Sequence, residues 1–170
     1  MVAQRKVDPD RNFLRGLSVA LVVLAIDQVA KWLVTHSFHL EERGAIELLP
    51  IFRLAWVENE GVSLNLLAAD RHLMRWILVA FTAAIALGVL IWMWRDRGGR
   101  NVTGLALVLG GALGNILDRV RLGFVVDFLD LHFGDLHPFL VFNVADTSIS
   151  VGVLMMIARA SLSRDRKAVA

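Results

Sequence analysis

The sequence predicts an all-α membrane protein with four transmembrane helices, a small extracytoplasmic β-sheet and a short interfacial helix. The chain of 170 residues is 56% hydrophobic and has a mean hydropathy of +0.60, which is too apolar for an ordinary soluble domain. Four apolar runs are long enough to cross a bilayer, and a segment rich in β-forming residues follows the first of them. We expect one integral-membrane domain, residues 1–170.

Basic residues mark the orientation of these spans. They cluster at residues 5–15, 95–100 and 159–167, while the net charge is only +2. Cytoplasmic loops are enriched in Lys and Arg, so both termini and the middle loop are expected in the cytoplasm. The pattern indicates membrane topology and not nucleic-acid binding. The chain contains no Cys, which excludes disulfides, thiolate nucleophiles and Cys-ligated metals.

The first span is expected at residues 13–34, and no secretory cleavage site follows it. Asp27 and Lys31 interrupt it late, at i, i+4 spacing. One interpretation is an ion pair on the helix surface with Lys31 reaching the interface; the other is support of an active site. The extracytoplasmic β segment, residues 44–66, follows and ends in a turn-like stretch at Asn59 and Gly61, which taken alone indicates only a polar loop.

The second and third spans are expected at residues 74–94 and 102–119. Trp residues flank the second span, as in interfacial belts. In the third, Gly110 and Gly114 have the spacing that lets helices pack closely. Asn115, Asp118 and Arg119 lie on one helix face near its end, where the charged pair could simply cap and anchor the helix.

Two carboxylates flank the short amphipathic link that leads into the fourth span, expected at residues 139–160. Asp127 is on a short apolar element outside the membrane, and Asp146 lies within the span, one turn after Asn143. An ionisable group in an apolar span is costly and suggests a functional site. Two carboxylates in a poorly solvated site share a proton and can act as base and acid toward water. The pair therefore predicts peptide hydrolysis of the aspartic type, without metal or cofactor.

The rise of a helix places the polar residues at one depth. Asn115 and Asp27 lie roughly 20 Å from the cytoplasmic ends of their spans, Asp118 roughly 24 Å, and Asp146 again near 20 Å. We therefore expect a site near the outer leaflet. A proton-linked transporter would need polar groups across the whole depth, and an assembly scaffold would explain the glycines but not the two acids.

The sequence resembles the lipoprotein signal peptidase family, also called signal peptidase II, over nearly its whole length. Five motifs carry the resemblance, in order: Asp27–Lys31, Asn59–Ser63, Gly110–Arg119, Val125–Phe128 and Phe142–Asp146. The family's catalytic dyad falls on Asp127 and Asp146. Its other functional positions fall on Asp27, Lys31, Asn59, Gly61, Asn115, Asp118, Arg119, Asn143 and Ala145. Leu64 departs from the family pattern, which usually has Phe there.

The resemblance implies a substrate and a location. It implies a prolipoprotein whose lipobox Cys already carries a diacylglyceryl group, cleaved just before that Cys in the bacterial cytoplasmic (inner) membrane. It further implies contact with membrane lipids, action as a monomer and inhibition by globomycin.

Overall fold

The computed structural model describes residues 9–61, 71–96, 99–134 and 136–168, without the side chains of Arg71 and of residues 163–168. The helices are α1 (Pro9–Trp32), continued by a π-helical turn (Leu33–Ser37), α2 (Leu40–Arg43), α3 (Arg71–Arg95), α4 (Val102–Arg121) and α5 (Val144–Ala168). Within the described residues, four of them, all but the short α2, are long and apolar enough to cross a membrane. The predicted fold class is confirmed.

Helix α4 is the centre of the bundle, and α1, α3 and α5 all pack against it. Glycines make this close approach possible. A Cβ at Gly110 would come within 2.6 Å of the Ala20 carbonyl oxygen of α1, and one at Gly111 would collide with the Ala145 carbonyl of α5. Small residues let helix backbones meet in a membrane, so the packing interpretation of these glycines holds.

Three antiparallel strands form one sheet in the order β1 (Ala45–Leu49), β2 (Phe52–Asn59) and β3 (Val125–Leu131). Both β1 and β2 lie within the β segment that the sequence predicts at residues 44–66. The sequence places Asp127 only on a short apolar element, which the structure resolves as β3. This segment is too short for its own pattern to distinguish a strand from a buried turn, and it becomes a strand by pairing with β2.

A second hydrophobic core fastens the sheet to the bundle. Val34 of the π-helical turn and Leu40 of α2 pack with Leu54, Val126 and Phe128 of the sheet. Side chains alternate along a strand, so Val126 and Phe128 face this core while Asp127 points to the opposite side. The sheet is thereby held with its Asp127 face toward the ends of α4 and α5.

Helix α5 begins at Val144, five residues later than residue 139, where the fourth span is expected to start. Two interactions set this start. The backbone of Phe142 pairs with that of Leu129 of β3, with N–H to oxygen distances of 3.0 and 2.7 Å, so the chain is extended there. Asn143 then caps the helix. Asp146 consequently lies in the first turn of α5 and not deep within it.

Candidate active site

Asn143 and Asp146 form a reciprocal cap at the start of α5. The Asn143 side-chain oxygen accepts the Asp146 backbone N–H at 2.9 Å, and the Asp146 carboxylate accepts the Asn143 backbone N–H at 3.3 Å. This is the capping-box arrangement, built here from Asn and Asp. The helix dipole favours a negative charge at this position. Two hydrogen bonds within the first turn of α5 therefore hold the Asp146 carboxylate in one orientation.

Asp127 lies on β3 with 1% of its surface exposed. Its two carboxylate oxygens accept hydrogen bonds from the Asn143 side chain at 2.6 Å and from the Asn59 side chain at 2.9 Å. Burial raises the pKa of Asp127 to about 6; the Asn59 bond opposes this rise and the nearby charge of Asp146 adds to it. This carboxyl is therefore adapted to hold a proton closer to neutral pH than an ordinary aspartate.

Two carboxamides join the carboxylates. The Asn143 Nδ2 group donates both to Asp127 and to the side-chain oxygen of Asn115, the latter at 3.2 Å. Asn115 Nδ2 donates in turn to Asp146 Oδ1 at 2.8 Å. Each aspartate thus receives one amide N–H from a helix of the bundle. The carboxyl groups are fixed relative to each other, because the same Asn143 side chain contacts both residues.

A buried ionic cluster lies beside the carboxylates. Lys31 Nζ is 2.8 Å from Asp27 and 2.7 Å from Asp118, and it donates to the Asn115 oxygen at 3.4 Å. Lys31 is 5% exposed, so it does not extend to the interface as one interpretation of its spacing predicts. Asp27 also accepts the backbone N–H of Ala145 at 2.9 Å, which ties α1 to the start of α5.

Asp118 is more than a helix-end cap. Its carboxylate accepts the backbone N–H of Val126 at 3.2 Å, which anchors β3 to α4, and the side chain of Gln28 at 2.9 Å. Gln28 is the member of this network that sequence reasoning missed. The sequence indicates a role for Gln28 only through its place between Asp27 and Lys31 in the motif of the first span.

Arg119 and Gly61 border the same site. Among the described residues, the Arg119 guanidinium makes one long hydrogen bond, 3.5 Å to the Asn115 carbonyl, and its buried Nε has no hydrogen-bond partner. Gly61 has φ +80°, and its N–H bonds the Asn59 side chain at 2.8 Å. A Cβ there would lie 3.5 Å from the guanidinium and 2.6 Å from Leu78. The turn after β2 therefore belongs to the site and is not merely a polar loop.

The structure brings together all eleven residues that the sequence singles out. Leu64, the position that departs from the family pattern, lies outside the described residues. In the part of the chain that is described, no group of three or more His, Asp or Glu side chains is arranged to hold a metal ion.

In the described residues, four candidate spans with a buried cluster of carboxylates and carboxamides at one end define a multi-pass membrane protein with a polar site. Two solved structures of bacterial membrane enzymes have the same fold, with TM-scores of 0.75 and 0.74 at 25% and 26% identity. They cover 90% and 86% of this chain, and 91% and 92% of their own. The model of the signal peptidase (SPase) II family matches residues 19–162.

Curated proteins named lipoprotein signal peptidase are also similar to this chain. One from Rhizorhabdus wittichii is 54% identical over 89% of this chain and 88% of its own, and one from Sphingopyxis alaskensis is 53% identical over 86% and 85%. A more distant one, from Photorhabdus laumondii, is 37% identical over 92% and 93%. The chain belongs to the signal peptidase II family, the proteases that process the signal peptides of prolipoproteins. This membership favours the peptidase over the transporter and scaffold alternatives.

Proposed function

We propose that the chain is an intramembrane aspartic endopeptidase with Asp127 and Asp146 as its catalytic pair. It removes the signal peptide from diacylglyceryl-modified prolipoproteins by cleaving just before the lipidated cysteine. One observation carries the proposal: the buried side chain of Asn143 donates to the Asp127 carboxylate and accepts the backbone N–H of Asp146, so the two aspartates are held beside each other. Paired carboxylates in a site of low polarity can share a proton and divide the roles of acid and base.

The environments of the two carboxyls support a division of roles. Asp127, whose pKa is raised to about 6 chiefly by burial, is the acid. Asp146, at the positive end of the α5 dipole, is the base. Asp146 takes a proton from a water molecule as the water oxygen attacks the scissile carbonyl. Asp127 donates a hydrogen bond to the developing oxyanion. Asp146 then passes the proton that it took from the water to the leaving amine as the C–N bond breaks and the carbonyl forms again.

The remaining polar residues act by positioning. Lys31, held between Asp27 and Asp118, donates to the Asn115 oxygen and so directs the Asn115 N–H groups toward Asp146. Preorganised donors of this kind lower the barrier without reorganising during the reaction. Of the residues at the rim, Asn59 and Arg119 are donors to the substrate backbone, and Gly61 keeps space beside them for the scissile peptide. Ala145 is fully buried and positions the start of α5 through its bond to Asp27.

The membrane placement suits a lipid-anchored substrate. Such a substrate diffuses in the bilayer plane, and its scissile bond lies near the outer surface. We place both termini of the chain in the cytoplasm and the carboxylates near the outer leaflet of the bacterial cytoplasmic membrane, because the basic residues lie at the opposite end of the spans. The enzyme works there as a monomer in contact with membrane lipids.

Cleavage of a diacylglyceryl-modified prolipoprotein by purified protein in detergent tests this assignment. Asp127→Asn and Asp146→Asn should each abolish cleavage and leave substrate binding intact, since the shape of the site is kept while its acid–base capacity is lost. Asp130→Asn is the matched control. Asp130 is equally buried on the same strand, but its partners are Arg53 and His137, away from the site.

The comparison requires that all three variants are folded, as judged by unfolding temperature. Near-normal cleavage by either Asp127→Asn or Asp146→Asn would refute the pair, and Asp118 and Asp27 would become the next candidates. Loss of activity in folded Asp130→Asn would show that the assay responds to the sheet and not to the site.

A further inference from the structure

The end of the sheet away from the active site carries an exposed apolar surface. It consists of the end of β1, the turn between β1 and β2, and the loop after β3. Its side chains, which we call the apolar tip, are 44 to 86% exposed: Leu48, Leu49, Ile51, Phe133, Leu136, Phe139 and Leu140. Exposed apolar patches of this kind mark interaction surfaces in soluble and membrane proteins.

Backbone hydrogen bonds make these side chains one surface. The Ile51 carbonyl accepts the His132 N–H at 3.0 Å, which joins the turn to the loop. Phe133 and Leu136 pair with each other at 2.8 and 3.2 Å. Phe142 pairs with Leu129, and this returns the chain past the end of β3. The apolar tip therefore lies at one end of the sheet, and Asn59 lies at the other.

The charged groups next to the apolar tip lie within ion-pair distance of one another, and Asp130 among them is buried. Asp130, 1% exposed, accepts Arg53 Nε at 2.8 Å and faces His137 Nδ1 at 3.1 Å. Arg53 also lies 3.5 Å from Glu47, whose other oxygen is 3.4 Å from His132. Burial would raise the pKa of Asp130, but the bonds from Arg53 and His137 outweigh it and hold that pKa below its ordinary value. Paired charges leave water at a lower cost than single ones.

The position at which α5 begins limits how far the apolar tip can lie from the ends of the spans, measured along the helix axes. Asn115 bonds to the first turn of α5, and α4 continues from Asn115 to Arg121, about 9 Å further toward the sheet side. Leu140 precedes Val144 by four residues, so an extended chain carries it at most about 14 Å from the start of α5. Asn115 contacts Asp146, which lies two residues and so about 3 Å further along α5 than Val144, and Leu140 is therefore no more than about 8 Å beyond the level at which α4 ends. The Leu140 side chain is 86% exposed at that level.

We propose that the apolar tip inserts into the leaflet on the sheet side of the membrane, at the boundary between headgroups and acyl chains. Lipid is the occupant that the geometry favours, because the loop that carries Phe139 and Leu140 leads directly into a membrane span whose outer surface is also apolar and exposed. Insertion would fix the depth of β3, and with it the depth of Asp127, relative to the bilayer. This inference does not depend on the roles of the aspartates.

The absence of Cys from the chain allows a direct test. Single variants Leu136→Cys and Leu140→Cys would carry a nitroxide label in the full-length protein, reconstituted in nanodiscs of phosphatidylethanolamine and phosphatidylglycerol. Collision with oxygen, which partitions into lipid, is compared with collision with a water-soluble nickel chelate. Glu41→Cys on α2 is the exposed polar control, and Leu87→Cys on α3 is the lipid-facing control.

Labels at both tip positions should collide with oxygen several-fold more often, relative to nickel, than the label at Glu41. Nickel collisions as frequent as those at Glu41 would overturn the proposal. Protection from both reagents would also overturn it, because a protein surface or a second copy of the chain would then cover the tip. Thermal unfolding of each labelled variant verifies that a changed signal does not come from an unfolded sheet.

Discussion

Removing the Asn59 side chain should move the pH dependence of cleavage to higher pH. Asn59 donates to the Asp127 carboxylate at 2.9 Å, and this bond opposes the rise that burial causes in the pKa of Asp127. In the proposed mechanism Asp127 must carry a proton, so kcat/KM of the wild type should fall as pH rises through about 6. In Asn59→Leu the same fall should occur at a higher pH.

The size of this shift follows from the strength of the lost bond. A hydrogen bond to a charged group contributes about 1.5–3 kcal/mol, and the lower figure applies because Asn59 is only half-buried. One unit of pKa corresponds to about 1.4 kcal/mol. The alkaline limb should therefore move up by about one pH unit. The absolute rate is also expected to fall, since Asn59 borders the substrate site, but a loss of binding alone would not displace the limb.

The assay measures kcat/KM for a diacylglyceryl-modified prolipoprotein in detergent between about pH 4.5 and 9. This range covers the fall in kcat/KM that is expected near pH 6. Asn101→Leu makes the same chemical change at the other end of the bundle and should leave the limb in place. An unmoved limb in Asn59→Leu, or one displaced to lower pH, would refute the reasoning that Asp127 holds the catalytic proton.

Two further predictions concern stability and are read from unfolding of purified protein in detergent. Gly111→Ala should destabilise the protein by about 1–3 kcal/mol, because the new methyl group would collide with a carbonyl of α5, whereas Gly88→Ala on α3 adds a methyl group into open space and should be neutral. Lys31→Met should cost about 3–5 kcal/mol, because it leaves two buried carboxylates without a cation, whereas the exposed Arg43→Met should stay within about 0.5 kcal/mol. A neutral Gly111→Ala would contradict the close packing of α4 and α5, and a neutral Lys31→Met would mean that the ionic cluster is solvated.

Several features of the fold could be predicted because their physical cause is local. A membrane span is a matter of length and hydropathy, so all four follow from the sequence. The first two strands follow from their β-forming residues, with Pro50 between them. Polar residues inside apolar runs are costly wherever they occur. For this reason the sequence alone indicates Asp27 and Asp146 as candidate site residues.

Other features depend on partners that are distant in the chain. Val125–Leu131 is a strand because β2 lies beside it, and α5 starts at Val144 because Phe142 is held extended by Leu129. Likewise, the i, i+4 spacing of Asp27 and Lys31 is consistent both with an ion pair on the helix surface and with support of an active site. The ion pair of Lys31 with a second carboxylate, that of Asp118 on α4, shows that Lys31 is buried.

The sequence by itself determined the class of protein and its four spans, and it proposes the two carboxylates, since composition, periodicity and motifs are properties of the chain alone. The tertiary structure decided which group each polar atom bonds. Asn143 links the two aspartates, Asn115 is oriented by Lys31, and Gln28 joins Asp118, and each of these bonds spans 16 to 90 residues. Spacing along one helix or strand cannot specify such bonds, because they depend on how α1, α4, α5 and the sheet are placed relative to one another.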